Sequence, residues 1–74
     1  MNKNTNIMLK LGNKIRIERK KLKLSQEKLA ELADLNKNFI GMIERGETNV
    51  TVKNLENIAI AIGIDIKNLF DFTL

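Results

Sequence analysis

The stretch from Gln26 to Arg45 constrains the fold of this chain more strongly than any other. Apolar residues recur there at the i, i+3, i+4 spacing of a helical face, over one short segment and then over a second. The residues that form these two faces are Leu29, Ala30, Ala33, Phe39, Ile40 and Ile43. The gap between the faces leaves room for a turn of about three residues, and Ala30 is small where the two segments must cross closely. The stretch therefore predicts two short helices joined by a tight turn.

The apolar periodicity outside this pair predicts three further helices and no strand. We expect a first helix from about Ile7 or Met8 to Leu22, a fourth from Val52 to Ile62, and a short last one from Ile66 to about Asp71. Gly12 weakens the first helix by about 1 kcal/mol relative to alanine and so favours a late start. The residues expected to face inward from the first and fourth helices are Leu11, Ile15, Leu22, Val52, Leu55, Ile58, Ala59 and Ile62.

Polar residues and glycine mark the ends of these helices. Residues of the type that caps a helix N-terminus precede four of them, at Ser25, Asn36, Thr51 and Asp65. Asp34 is expected to take a positive φ in the central turn, which Asp tolerates better than most residues, and Gly46 is placed to end the third helix. The sequence thus predicts an all-α bundle of five short helices with a helix-turn-helix at residues 26–45. We expect one domain over residues 1–74, with a frayed arm at residues 1–6.

Charge is unevenly distributed along the chain. The formal net charge is +4, but residues 1–28 contain nine basic and two acidic residues, whereas residues 29–74 contain four basic and seven acidic residues. A basic half that leads into the central helix pair indicates an anionic partner, with nucleic acid favoured over a membrane surface. A lysine-rich helix face that is only solvated remains the alternative on charge alone.

Composition argues against several classes of function. The chain has no cysteine and no histidine, which removes a disulfide framework, the usual metal ligands and the usual general base. The sequence has no glycine-rich phosphate loop and no nucleophile–base pair, so we expect no enzyme activity, no cofactor and no metal site. No apolar run approaches the length of about 18 residues that a transmembrane helix needs. No signal peptide is visible, so the cytoplasm is the expected location.

Three segments, LSQEKLA, FIGMIERG and LENIAIAIGI, carry a resemblance to a known family. With them the chain resembles the Xre-type helix-turn-helix family, the lambda-repressor-like DNA-binding domains, from about Leu11 to Phe70. It is similar to small stand-alone members, namely restriction–modification controller proteins and short phage or plasmid repressors. It departs from the family at Asp34, Gly41 and Val50, where glycine, serine and proline, in that order, are more common. The resemblance implies a five-helix bundle that binds double-stranded DNA and regulates transcription.

The outward, N-terminal residues of the third helix are the candidates for contact with DNA bases, because the apolar residues of that helix are taken by the core. These candidates are Asn36, Lys37, Asn38 and Met42. Lys37 can donate to guanine O6 and N7, Asn38 can form two hydrogen bonds with adenine, and Met42 can touch a thymine methyl group. For each of them, a solvated position on a helix surface is the alternative.

The resemblance also implies contacts with the DNA backbone. Gln26 opens the second helix, whose N-terminal N–H groups and dipole suit a phosphate, and its side chain is expected to reach the same group. Further candidate phosphate contacts are Thr48, Asn49, Thr51, Lys14 and Lys28. In similar domains an arginine of the first helix pairs with the glutamate that ends the third. Arg19 and Glu44 are therefore expected to form a structural ion pair and not to bind DNA.

Surplus apolar residues near the C-terminus predict a homodimer interface within residues 60–74. The residues assigned to it are Ile60, Ile64, Ile66, Leu69, Phe70 and Phe72. Two copies would reach the half-sites of a palindromic operator about one helical turn apart, where RNA polymerase is a further expected partner. Two alternatives stay open, namely an antitoxin that binds DNA but mainly neutralises a partner protein, and a basic helix that docks on a membrane.

Overall fold

A computed structural model of the chain describes residues 3–72. Its elements are α1 (Lys3–Lys21), α2 (Gln26–Ala33), α3 (Lys37–Glu44), α4 (Val52–Ile62) and a 3₁₀ helix (Ile66–Phe70). The all-α class is confirmed, but the helix count needs one correction, because the last element is a 3₁₀ helix and leaves four α-helices within residues 3–72. The ends of the predicted arm and of the predicted dimer segment, residues 1–2 and 73–74, lie outside the described residues.

The core receives one fully buried large side chain from every element. These side chains are Ile15, Leu29, Ile40, Ile58 and Leu69. Full burial of such a side chain contributes about 1.5–3 kcal/mol, which is too little for any two helices to hold together alone. α2 packs against α3 and α4, and α1 packs against α3. α3 is therefore supported by two other helices along its buried side.

Three of the four predicted N-caps form as expected. Ser25, Asn36 and Thr51 each accept a hydrogen bond from the first turn of the following helix through a side-chain oxygen, at 2.9, 2.7 and 3.0 Å in that order. The prediction for Asp65 was wrong, since its side chain makes no capping hydrogen bond. Its backbone carbonyl instead accepts the N–H three residues on, at 2.9 Å, which closes a 3₁₀ turn. Asp34 has the predicted positive φ, 58°.

α1 begins at Lys3 and not at Ile7 or Met8, so residues 3–6 of the predicted arm are helical. Gly12 lies inside this helix, and its importance is steric. A Cβ atom on Gly12 would overlap the carbonyl oxygen of Ile43 and lie 2.8 Å from that of Glu44, at the end of α3. Glycine therefore lets α1 and α3 approach closely at this crossing, which the sequence alone did not reveal.

Two residues that were expected to face inward are exposed instead. Leu22 is exposed because α1 ends before it and the chain turns through Lys23, whose φ is 60°. Leu24 packs against the core in its place. Val52 is exposed because it lies in the first turn of α4, ahead of the buried Leu55.

Candidate nucleic-acid interface

α3 divides its side chains between the core and solvent. Ile40 and Ile43 are buried, which fixes the helix against its neighbours. The four candidate base contacts are all exposed along the opposite side, and we call them the outward face of α3: Asn36, Lys37, Asn38 and Met42. Asn36 differs from the others because its side-chain oxygen caps the helix. The amide N–H groups of Asn36 are not used by this cap and remain available for an outward contact.

A buried ion pair fixes the other end of α3. Arg19 Nε donates to Glu44 Oε2 at 2.7 Å, and Arg19 Nη2 donates to Glu44 Oε1 at 3.0 Å, the bidentate geometry that guanidinium and carboxylate favour. Arg19 Nη1 also donates to the backbone oxygen of Leu24 at 2.7 Å. The side chains of Arg19 and Glu44 are only 9% and 2% exposed. The pair therefore joins α1 and the turn after it to the end of α3.

Gln26 belongs to the same network. Its Nε2 donates to Glu44 Oε1 at 3.0 Å, so a single carboxylate binds groups from both α1 and α2. Every buried side-chain polar atom within the described residues has a hydrogen-bond partner. One N–H of the Gln26 amide thus donates to Glu44. The second N–H and the carbonyl oxygen of this amide take no part in that hydrogen bond and lie at the N-terminus of α2.

Arg45, the residue that caps the C-terminus of α3, lies in line with Lys37, although it was not among the sequence-based candidates. Lys37, Gly41 and Arg45 follow one another at i, i+4 and i+8, so they share one line along the helix. A Cβ atom on Gly41 would lie 3.1 Å from Arg45 Nη1 and 3.6 Å from Gln26 Oε1. The guanidinium therefore lies over Gly41, beside the N-terminus of α2. The spacing from Lys37 was the signal that could have identified it.

Arg45 has a carboxylate partner of its own. Arg45 Nε donates to Glu47 Oε2 at 2.9 Å, and the two side chains are 57% and 52% exposed. This hydrogen bond raises the pKa of Arg45 and lowers the pKa of Glu47. The hydrogen bond therefore favours the charged form of both groups.

The two lysines proposed as phosphate contacts are held in ion pairs. Lys14 Nζ lies 2.9 Å from Glu18 Oε2, and Lys28 Nζ lies 3.3 Å from Glu31 Oε1. The hydrogen bond from Lys14, assisted by one from Lys21, lowers the pKa of Glu18. A phosphate would have to compete with a carboxylate at both lysines.

The loop candidates follow the end of α3. Gly46 has a φ of 71° and turns the chain out of the helix, as predicted. Thr48 Oγ1 donates to the backbone oxygen of Asn49 at 3.3 Å. Thr51 uses its hydroxyl oxygen as the cap of α4. Asn49 and Thr51 are exposed, whereas Thr48 is half-buried.

The predicted dimer residues divide between the surface and the core. Ile60 is 71% exposed and Phe70 is 46% exposed. The half-buried members, which pack against the core, are Ile64, Ile66 and Phe72. Leu69 is fully buried, so its assignment to the interface was wrong. The 3₁₀ helix turns this residue into the core, where it cannot reach a second copy.

Two recesses of the surface lie away from the outward face of α3. These recesses, of about 310 and 330 Å³, lie between α1 and the C-terminal residues, and between the end of α2 and α4. Pockets for small molecules are concave, but neither of these two recesses includes a residue of the outward face. Within residues 3–72 no acidic cluster is arranged to hold a metal ion. Over the same part of the chain, no helix combines the length and apolar character needed to cross a bilayer.

Known proteins resemble this chain over nearly its whole length. The profile of the helix-turn-helix family HTH_3 matches residues 15–69. Control protein C.BamHI from Bacillus amyloliquefaciens is 48% identical over 69 residues, which cover 92% of this chain and 85% of that protein. Control protein C.MunI from a Mycoplasma species is 38% identical over 65 residues, covering 86% and 88%. The crystal structure of the restriction-modification controller protein C.AhdI from Aeromonas hydrophila matches with a TM-score of 0.84 and 38% identity, over 85% of this chain and 96% of that one.

Proposed function

The chain belongs to the helix-turn-helix family, and from that membership we propose that it regulates transcription by sequence-specific binding to double-stranded DNA. The observation that carries the proposal is the outward face of α3. These residues are exposed on a helix whose opposite side is fixed by Ile40, Ile43 and the buried pair at Glu44. A rigid helix of this kind fits the major groove of B-DNA, which is about 12 Å wide.

Specificity would come from two side chains near the start of α3. Lys37 donates to guanine O6 or N7, and Asn38 forms a bidentate pair with adenine N6 and N7. Each good contact of this type discriminates against a wrong base by about 1–3 kcal/mol. Met42, one turn further along the helix, adds apolar contact with a thymine methyl group.

Affinity would come mainly from the DNA backbone. The N-terminus of α2 offers unpaired backbone N–H groups and the positive end of a helix dipole to one phosphate. Gln26 adds its remaining amide N–H at the same place. The other side chains proposed to lie along the phosphates are Thr48, Asn49, Thr51, Lys14 and Lys28, and each neutralised phosphate increases the salt dependence of binding.

The regulator would act as a homodimer on a palindromic operator, in the manner of a restriction–modification controller protein. Ile60 and Phe70 are large, apolar and exposed, and a second copy would cover them. A two-fold axis through this surface would present two α3 helices to half-sites about one helical turn apart. The position of the operator then decides whether RNA polymerase is recruited or blocked.

Selection of bound duplexes from a random-sequence pool tests the DNA contacts. We expect the wild type to enrich a palindromic consensus, and Asn38→Ala to lose base preference at one position in each half-site. Gln26→Ala should weaken binding to all duplexes about equally, and Lys53→Ala replaces an exposed lysine on α4 as the matched control. Failure of the wild type to enrich any sequence would reject the proposal, as would unchanged base preference for every substitution on the outward face.

Sedimentation equilibrium at micromolar concentration tests the dimer separately. The wild type should show the mass of two chains, and Ile60→Lys should shift it toward that of one chain. Thermal unfolding of the variant provides the control, because an exposed residue contributes little to the fold of one copy. A wild type that sediments as a single chain would contradict the dimer while leaving the DNA contacts open to their own test.

A further inference from the structure

The guanidinium of Arg45 occupies a position that DNA would have to approach. It lies in line with Lys37 and over Gly41, where a Cβ atom on that glycine would also be 3.6 Å from Gln26 Oε1. A side chain at position 41 would crowd it, because a Cβ atom there would lie 3.1 Å from Arg45 Nη1. Arg45 therefore presents a positive charge between two elements of the proposed interface, the line through Lys37 and the N-terminus of α2.

This positive charge is already partnered within the chain. Glu47 accepts a hydrogen bond from Arg45 Nε at 2.9 Å, only two residues further along the chain. More than half of each side chain is exposed, so the pair can open without disturbing the core. Glu18 and Glu31 bind Lys14 and Lys28, the two lysines proposed as phosphate contacts, but neither carboxylate bonds Arg45 or a residue of α3.

We propose that Arg45 is a phosphate-binding residue and that Glu47 is a built-in competitor, whose carboxylate is replaced by a DNA phosphate when the duplex binds. The inference rests on the proposed function, because it assigns a phosphate contact to Arg45, and a limit on affinity to Glu47, at the same DNA-binding surface. A guanidinium binds phosphate and carboxylate with the same bidentate preference. Binding therefore exchanges one partner for another, and Glu47 limits the affinity that Arg45 can provide.

The exchange has a signature in the salt dependence of binding. A phosphate neutralised by a cationic side chain normally releases close to one counterion, with a slope of about −0.9 per phosphate in log K against log salt. When Arg45 leaves Glu47, the freed carboxylate attracts a cation back to the protein. The net number of counterions released through the Arg45 contact is therefore small in the wild type. It is close to one when the charge of Glu47 is removed, as in Glu47→Gln.

A double-mutant cycle on the full chain tests the proposal, with Arg45→Gln, Glu47→Gln and the combined variant. The probe is a random-sequence duplex titrated by fluorescence anisotropy over a series of potassium chloride concentrations. Glu47→Gln should tighten binding about two- to five-fold and steepen the salt slope by up to about 0.9. Arg45→Gln should weaken binding. When Arg45 is already replaced by glutamine, Glu47→Gln should increase the affinity only as much as removal of a distant carboxylate does.

Glu56→Gln supplies the distant-carboxylate control. Glu56 lies on α4 and bonds an exposed lysine at 3.2 Å, with 53% of its side chain exposed, which closely matches Glu47. Equal tightening by Glu47→Gln with and without Arg45 would overturn the inference, because Glu47 would then act only as a nearby negative charge. No tightening at all would also overturn it. If the wild type fails to bind the duplex at any salt concentration, the proposed function fails together with the inference.

Discussion

Two sides of one helix can be compared directly in this protein. On the inward side of α3, Ile40 and Ile43 fill the core and Glu44 accepts hydrogen bonds from α1 and α2. On the outward side, Lys37 and Asn38 are exposed to solvent. The difference indicates that the position of the helix and the chemistry that it presents depend on separate residues. Substitutions on the two sides should therefore change different measurements.

The largest effect is expected for Glu44→Ala, on the inward side. This variant leaves Arg19 buried without its partner, and removal of one member of a buried pair costs about 3–5 kcal/mol. That is a large part of the roughly 5–15 kcal/mol that stabilises a typical domain. Urea unfolding should show the loss, whereas Glu56→Ala, at an exposed pair, should stay within about 0.5 kcal/mol of the wild type. Similar losses for the two variants would mean that the inward network does not hold α3.

Glycine-to-alanine changes at Gly12, where α1 crosses the inward side of α3, and at Gly41, within α3, should change stability in opposite directions. Alanine gains about 1 kcal/mol of helix propensity over glycine. At Gly12 the added methyl group meets the backbone of α3, and overpacking of this kind typically costs about 1–3 kcal/mol. At Gly41 it would lie 3.1 Å from the end of the Arg45 side chain and 3.6 Å from Gln26 Oε1. These neighbours are side-chain ends and not backbone, so most of the propensity gain should survive. Thermal unfolding should show a lower midpoint for Gly12→Ala and a higher one for Gly41→Ala, and shifts of the same sign would contradict this assignment.

Substitutions on the outward side should separate affinity from stability. Lys37→Ala and Asn38→Ala should each weaken binding to a selected operator by about 1–3 kcal/mol, measured by fluorescence anisotropy. Their free energies of unfolding should stay within about 0.5 kcal/mol of the wild type, because the residues are exposed. A loss of unfolding free energy as large as the loss of binding free energy would contradict the comparison. It would mean that residues on the outward side also stabilise the fold.

The smallest effect is expected for Glu18, which lies on neither side of α3. Lys14 and Lys21 lower the pKa of Glu18 in the folded protein, so its contribution is present above the unfolded pKa near 4.5 and is lost as the pH falls through the folded value. Glu18→Gln should therefore reduce stability by about 0.3–0.5 kcal/mol at neutral pH. The difference should vanish in acid and shrink at high salt, as thermal unfolding would show. A difference that persists in acid would point to packing instead of charge.

Local features of the sequence were sufficient to predict most of the fold. The bounds of α2, α3 and α4 follow from apolar spacing and from caps at Ser25, Asn36 and Thr51, because these signals act within one helical turn. The start of α1 was misplaced because residues 1–6 are polar and lack apolar periodicity, whereas residues 3–6 are helical. The role of Gly12 was missed separately, because it was judged only by its helix propensity. The reason for that glycine is a contact with α3, thirty or so positions away in sequence, and no local pattern records such a contact.

The candidate site was predictable to a similar extent. Helical periodicity correctly placed Lys37 and Asn38 on an exposed face. It did not reveal that the Gln26 amide bonds Glu44, that Leu69 lies in the core, or that Arg45 extends over Gly41. The first two depend on where another element packs, whereas the spacing of four residues between Gly41 and Arg45 was present in the sequence and was not used. The choice of bases belongs to the DNA complex and stays a prediction.

The hydrogen bonds that converge on Glu44 bear on protein engineering. They involve Arg19 and Gln26 but no atom of Lys37, Asn38 or Met42. A combinatorial library that varies only those three outward positions should therefore consist largely of folded members with new target preferences. A library that also varies Gly12, Arg19 or Glu44 should be dominated by unfolded chains. Retargeting this small protein should therefore require changes at the three outward positions only.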